Sequence, residues 1–157
     1  EGDGFKQIMH GMNAERILIA GEALGLGYAA LRHAANYVRE RIVFGRPIGQ
    51  NQGVAHPLAK AWCGLESARL MTMQAARMWD DGFATGEYTN ACKYMAAEAA
   101  FTACETAVCS MGGMGYAKEY HVERYLREVM IPRLAPVSRE MCLNYVAEKV
   151  LELPKSY

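Results

Sequence analysis

Four stretches of this 157-residue chain carry side chains that could do chemistry. Asn13-Ala14-Glu15-Arg16 sets a carboxylate beside a guanidinium. The functional reading is a carboxylate aimed into a cleft beside the bundle, where burial would raise its pKa and let it act as an acid or base. The same residues also suit a helix start, with Asn13 as N-cap and Glu15 in the first turn, where the dipole favours an acid. Arg39-Glu40-Arg41-Ile42-Val43-Phe44-Gly45-Arg46 brings three arginines together with a Phe and a flexible Gly, a set that could grip a phosphate. Its plainer reading is a helix C-terminus dressed with solvated arginines. Gly112-Gly113-Met114-Gly115 offers close backbone approach, but it follows a helix and no strand precedes it, so it fails the context of a dinucleotide fingerprint and suits a helix cap. In Arg133-Leu134-Ala135-Pro136-Val137-Ser138-Arg139-Glu140, Ser138 is placed to cap a last helix.

Helices must position all four. Ile17, Gly21, Leu24, Tyr28, Leu31, Ala35 and Val38 recur at steps of three and four. Val54 to Trp79 and Tyr94 to Met111 repeat the pattern. Three long amphipathic helices follow, each on the order of 25 residues, against a usual mean of about 11–12. Packed near-antiparallel, they predict an all-α, up-and-down bundle of the four-helix type. Gly45-Arg46-Pro47 ends the first helix. Pro57 belongs near the start of the second, because it lacks an N–H. Asp80-Asp81-Gly82 and Thr85-Gly86 bracket the next loop. Gly112-Gly113 stops the third helix. A shorter helix near His121–Val129 and a last one near Ser138–Leu151 complete the chain.

Composition narrows the function classes. With 52% hydrophobic residues the chain is not disordered, and 157 residues suit one domain with a sizeable core. Seventeen basic and seventeen acidic residues balance, which argues against nucleic acid or an anionic membrane as the main partner and fits a surface covered in an oligomer. No apolar run reaches bilayer length. Five cysteines at irregular spacings, with no CxxC pair, read as reduced thiols, and four scattered histidines make no metal site. The ten Met and the aromatics are core and interface packing. The opening Glu1-Gly2-Asp3-Gly4 carries neither an initiating Met nor a signal pattern, and suggests part of a longer protein.

Taken together and in order, these blocks resemble the C-terminal domain of acyl-CoA dehydrogenases. The likeness runs through Glu15-Arg16, Arg41 to Ile48, Gln52, Gly112 to Tyr116 and Glu119 to Glu128, and covers about Gly4 to Val150. It implies residues 1–157 as the helical third domain of a three-domain flavoprotein, a dimer or tetramer built through the bundle, in the bacterial cytoplasm or mitochondrial matrix. The activity implied is oxidation of the Cα–Cβ bond of an acyl-CoA, with FAD taking the hydride and an electron-transferring flavoprotein as acceptor. No turnover is expected of this domain alone.

The resemblance also assigns roles. Most members carry the base in a loop where this chain has Pro136, which accepts no proton; isovaleryl- and long-chain-type members carry it where this chain has Glu15. Arg41 and Gln52 match residues on the FAD pyrophosphate and adenosine, partly across a subunit interface. Phe44 matches an aromatic beside the cofactor. Cys109, Ser110, Met111, Gly112 and Gly113 match a segment that approaches FAD from a neighbouring subunit, and Ser138 keeps a hydroxyl near FAD. Asn13, Arg16, Pro136 and Val137 match the acyl-CoA site. Because Pro136 has no N–H for the thioester oxygen, that role falls to the Val137 N–H or to another donor beside the flavin ribityl hydroxyl. Two alternatives keep the bundle but change its use: an oxidase or monooxygenase relative, and a non-catalytic assembly module.

Overall fold

The computed structural model describes residues 2–155. Helix α1 (Gly4–Glu40) starts well before Asn13. Phe5, Ile8, Met9 and Met12 carry the three–four spacing back towards the N-terminus, and no Pro interrupts it. Asn13 therefore sits in the third turn and is no N-cap, and Glu15 is not a first-turn acid; the first turn holds no acid at all. This corrects the capping interpretation of those residues and leaves their chemistry unexplained by helix termination.

The chain leaves α1 at Arg41, whose N–H still bonds to the Tyr37 carbonyl at 2.9 Å. Strands β1 (Ile42–Val43) and β2 (Arg46–Pro47) form a two-residue-loop hairpin. Phe44 and Gly45 both have positive φ, 52° and 76°. Two such residues are what a hairpin turn of this hand requires. A short 3₁₀ turn (Ile48–Gln50) leads into α2 (Gln52–Asp80). Pro57 lies in the second turn of α2, further in than its missing N–H predicts; it and Gly53, four residues before it, are both exposed, so the freed carbonyl faces water.

Helix α3 (Gly86–Met111) runs parallel to α1, and α2 runs antiparallel to both. Small residues set the spacing. Ala20, Ala23, Ala30 and Ala34 of α1 and Ala96, Ala100, Ala103 and Ala107 of α3 are fully buried. A Cβ on Gly27 would lie 2.7 Å from Leu65 Cδ2 and 3.0 Å from Ala100 Cα, so the three helices meet closely there. Gly112 stops α3 with φ 59° and ψ −134°, a conformation open essentially to Gly alone. Short helices α4 (Gly113–Tyr116), α5 (Val122–Glu128) and α6 (Met130–Leu134) follow. The fourth member, α7 (Arg139–Lys149), lies along the N-terminal half of α3. Ser138 caps it, its Oγ accepting the Met141 N–H at 3.4 Å.

Candidate functional site

The parallel run of α1 and α3 divides the bundle into two ends, and the residues expected to do chemistry divide with it. From Asn90 to Cys109 is 19 residues of α3, roughly 28 Å at 1.5 Å per residue.

At the N-terminal end of α1 and α3 lie two adjoining cavities. One, of about 560 Å³, is lined by His10, Asn13, Arg16, Trp79, Thr85 and Asn90, among others. The other, of about 460 Å³, is lined by Met12, Arg16, Asn90, Pro136, Val137 and Ser138, among others. Arg16 and Asn90 form part of the wall between them. Arg16 is only 4% exposed, and its Nη1 donates to Asn13 Oδ1 at 3.1 Å. Its Nε is buried without a protein partner, as is the Thr85 hydroxyl on the same cavity. The great majority of buried donors are satisfied, so these two are open to a water or a ligand entering the cavity.

Polar residues on the first turns of α3 complete this end. Thr89 Oγ1 donates to Asn13 Oδ1 at 3.1 Å, and Asn90 Nδ2 to the Gly86 carbonyl at 2.7 Å. Lys93 is fully buried, and its Nζ donates to the Val137 carbonyl. Burial pulls the Lys93 pKa below its ordinary value, with nearby Arg16 acting in the same sense and Cys142, Glu140 and Glu98 opposing. Sequence reasoning missed Thr85, Thr89, Asn90 and Lys93. The signal was present: Thr89, Asn90 and Lys93 extend the buried stripe of Ala96, Ala97 and Ala100 towards the N-terminus, so they are polar groups at core positions.

The loop around Pro136 is braced from both sides. Glu98 of α3 accepts from Arg133 before the loop, at 2.8 and 3.2 Å, and from Arg139 after it, at 3.4 Å. Arg139 also donates to Glu140 at 2.6 Å. Arg133 lies 4.2 Å from the centroid of the Phe101 ring.

Glu15 lines neither cavity. One residue along a helix is about 100° of rotation, so it leaves the Arg16 face for the outer one. There it shares an exposed stripe with Phe5, Ile8 and Leu18. A carboxylate on an uncovered apolar stripe has the makings of a dry site once another surface is laid over it.

At the opposite end, a cavity of about 660 Å³ gathers Arg41 with Cys109, Ser110, Met111, Gly112 and Gly113. Arg41 makes no ion pair among the described residues. A Cβ added at Gly112 or Gly113 would meet nothing within 4 Å, so their backbone faces open space. A guanidinium with no ion-pair partner beside open backbone can hold an anion. Arg39 takes no part; it caps its own helix by donating to the Ala35 carbonyl at 3.2 Å and to Asn36. Phe44 projects from the hairpin tip with 99% of its surface exposed, and Gln52 is exposed at the start of α2; neither lines the cavity. Ser138 lies at the other end. The residues expected to hold one cofactor thus form two separate half-sites on one chain.

The chain is thus a helical bundle, with one small hairpin, that carries buried unpartnered donors at one end and an open cavity with Arg41 at the other. Residues 2–151 match the family model described as acyl-CoA dehydrogenase, C-terminal domain, and the chain belongs to that family. It is 46% identical over 159 aligned positions to an acyl-CoA dehydrogenase of Mycobacterium tuberculosis, taking in 100% of this chain and 41% of that protein. Butyryl-CoA dehydrogenase from Megasphaera elsdenii superposes with a TM-score of 0.94 at 32% identity, over 96% of this chain and 39% of that one. A chain from a study of the electron transferring flavoprotein of Acidaminococcus fermentans and flavin-based electron bifurcation gives 0.95 at 31%, over 98% and 40%. The chain therefore spans about two fifths of the length of the relatives it matches. Among the described residues, no helix is long and apolar enough to cross a membrane, and no His, Cys, Asp and Glu cluster could hold a metal ion.

Proposed function

We propose that this chain is the part of a flavin-dependent acyl-CoA dehydrogenase that carries the proton-abstracting base and two separate portions of the FAD site. The observation that carries this is Arg16: a buried guanidinium with an orphaned Nε, walling two cavities, next in sequence to a carboxylate on an uncovered apolar stripe. Glu15 removes the α-proton of an acyl-CoA thioester. As that C–H bond breaks, its electron pair moves towards the thioester oxygen, which is drawn to donors on the cavity wall. Asn13, held by Thr89 and Arg16, and the loop of Pro136 and Val137 shape the acyl-CoA side of this site. FAD, when bound, would accept the hydride that leaves Cβ as the Cα–Cβ double bond forms.

Arg41, with the backbone of Cys109 to Gly113, suits the FAD pyrophosphate, and Phe44, Gln52 and Ser138 are its other contacts. The half-sites lie at opposite ends of one chain, so Arg41 of one copy would hold an FAD that Ser138 of another copy also contacts. That separation supports a homo-oligomer, dimer or tetramer. Electron-transferring flavoprotein is the acceptor that the Acidaminococcus relative supports. Five unpaired cysteines suit a reducing compartment such as a bacterial cytoplasm or a mitochondrial matrix.

The test uses the full-length protein. Glu15→Gln should lower turnover by about 10³-fold or more while bound FAD is unchanged, since a positioned base is worth about 10²–10⁴. Near-normal bleaching of the flavin by acyl-CoA thioesters in that variant would refute the assignment.

A further inference from the structure

Lys93 is a buried amine with no part in the proton transfer proposed above. Lys93 is fully buried on α3 and donates to the carbonyl of Val137, and among the described residues no carboxylate comes within ion-pair distance of its ammonium. An ammonium held on a single backbone carbonyl is a costly way to brace a loop, because burial penalises the charge heavily. The loop is already braced, since Glu98 ties Arg133 on one side and Arg139 on the other. Lys93 therefore contributes something that those ion pairs do not.

The Val137 carbonyl and the Ser138 N–H belong to one amide. A cation on the oxygen pulls electron density through that amide and makes its N–H a stronger donor. Val137 and Ser138 line the cavity that Arg16 also lines. Pro136, the residue before them, contributes no N–H to that wall. Helix α7 starts immediately behind Ser138, and its N-terminal dipole adds a positive field of the same sense.

We propose that Lys93 is a positioning residue that orients and polarises the Val137–Ser138 amide, making the Ser138 N–H the donor to the thioester oxygen in place of the one Pro136 lacks. This rests on the acyl-CoA reading of the site, and it places the donor one residue further along than Val137 N–H. Lys93 touches neither substrate nor cofactor; it acts through the loop.

The experiment uses the full-length holoenzyme with Lys93→Met and Lys93→Gln. The probe is a 3-oxoacyl-CoA, whose α-carbon is acidic enough to ionise in the site without a catalytic base. The fraction bound as enolate is read from its near-ultraviolet absorbance across a pH series. Lys93→Met should lower the enolate-to-keto ratio about tenfold and kcat by about tenfold to a hundredfold, with KM within about threefold, the pattern of a contact made only as charge develops. Lys93→Gln, which keeps a neutral donor to the same carbonyl, should fall between Met and the native enzyme. An unchanged enolate ratio in Lys93→Met would overturn the proposal. So would loss of the folded, FAD-containing protein in both variants, which would make Lys93 a packing element. If the unsubstituted protein bleaches with no acyl-CoA thioester, the functional reading fails instead, and that outcome is distinct from both.

Discussion

Replacing Arg16 by Met separates a structural arginine from one kept for a ligand. The guanidinium is 4% exposed and has one protein partner, Asn13 Oδ1 at 3.1 Å. Losing a hydrogen bond from a charged donor costs about 1.5–3 kcal/mol. Against this, the orphaned Nε disappears, which relieves about 1–3 kcal/mol of unsatisfied burial. Asn13 Oδ1 keeps the Thr89 hydroxyl 3.1 Å away, whose single proton is shared with the Gly86 carbonyl at 3.2 Å. Met also refills most of the volume with a flexible apolar side chain. The two terms nearly cancel, so Arg16→Met should change stability by no more than about 1 kcal/mol, a melting shift within about 2–4 °C for a chain of this size. Breaking a buried structural ion pair would instead cost about 3–5 kcal/mol. In the full-length enzyme the same change should lower kcat/KM for acyl-CoA about tenfold to a hundredfold, the worth of one charge-assisted bond. Thermal unfolding of the 157-residue chain and steady-state kinetics of the full-length enzyme are the assay. A melting temperature lowered by about 10 °C, with kcat/KM preserved per folded enzyme, would refute the reasoning and assign Arg16 to the core.

Two further outcomes are expected. Gly115→Ala should destabilise the chain by about 1–3 kcal/mol or more, because its Cβ would lie 2.3 Å from the Val108 carbonyl oxygen and 2.8 Å from Val108 Cα, neither of which can swing aside; Gly113→Ala, with open space around it, should shift the melting temperature little, and equal shifts for the two would contradict the packing. Burial pushes the Cys92 and Cys104 thiols up from 9.0 to about 12. The folded chain keeps these protons where an unfolded chain would lose them, so their contribution to stability is present below about pH 9 and is lost as pH rises towards 12. At pH 8 both should resist alkylation until the chain unfolds, while exposed Cys63 and Cys109 in the 157-residue chain are labelled; modification of Cys92 or Cys104 in the native chain, read by peptide mass spectrometry, would show the burial to be wrong.

Most of the fold was legible because helical periodicity is local. Steps of three and four from Ile17 to Val38 needed no knowledge of a partner, and neither did the Gly112 stop nor the Ser138 cap. The start of α1 was misplaced because Asn13 is a good cap by type, and nothing local weighs that preference against the apolar spacing of Phe5, Ile8 and Met12. The Phe44 turn was legible only in part. Gly45 announced a bend, but the positive φ of Phe44 follows from closing β1 onto β2.

The sequence by itself determined the class of the domain, its family likeness and the residue types available for chemistry, because those depend on composition, spacing and order along the chain. Tertiary structure alone decided how they are grouped. It put Arg41 with Cys109 to Gly113 and left Ser138 at the far end, because a parallel α1 and α3 hold the ends of the bundle apart. It turned Glu15 outward and Arg16 inward, one residue apart, because one face of α1 packs on α3 and the next does not. It also brought Lys93 to the Val137 carbonyl, 44 residues away in sequence, where the loop after α6 folds back onto α3. Contacts of that kind depend on which helix faces meet, and no local pattern encodes them.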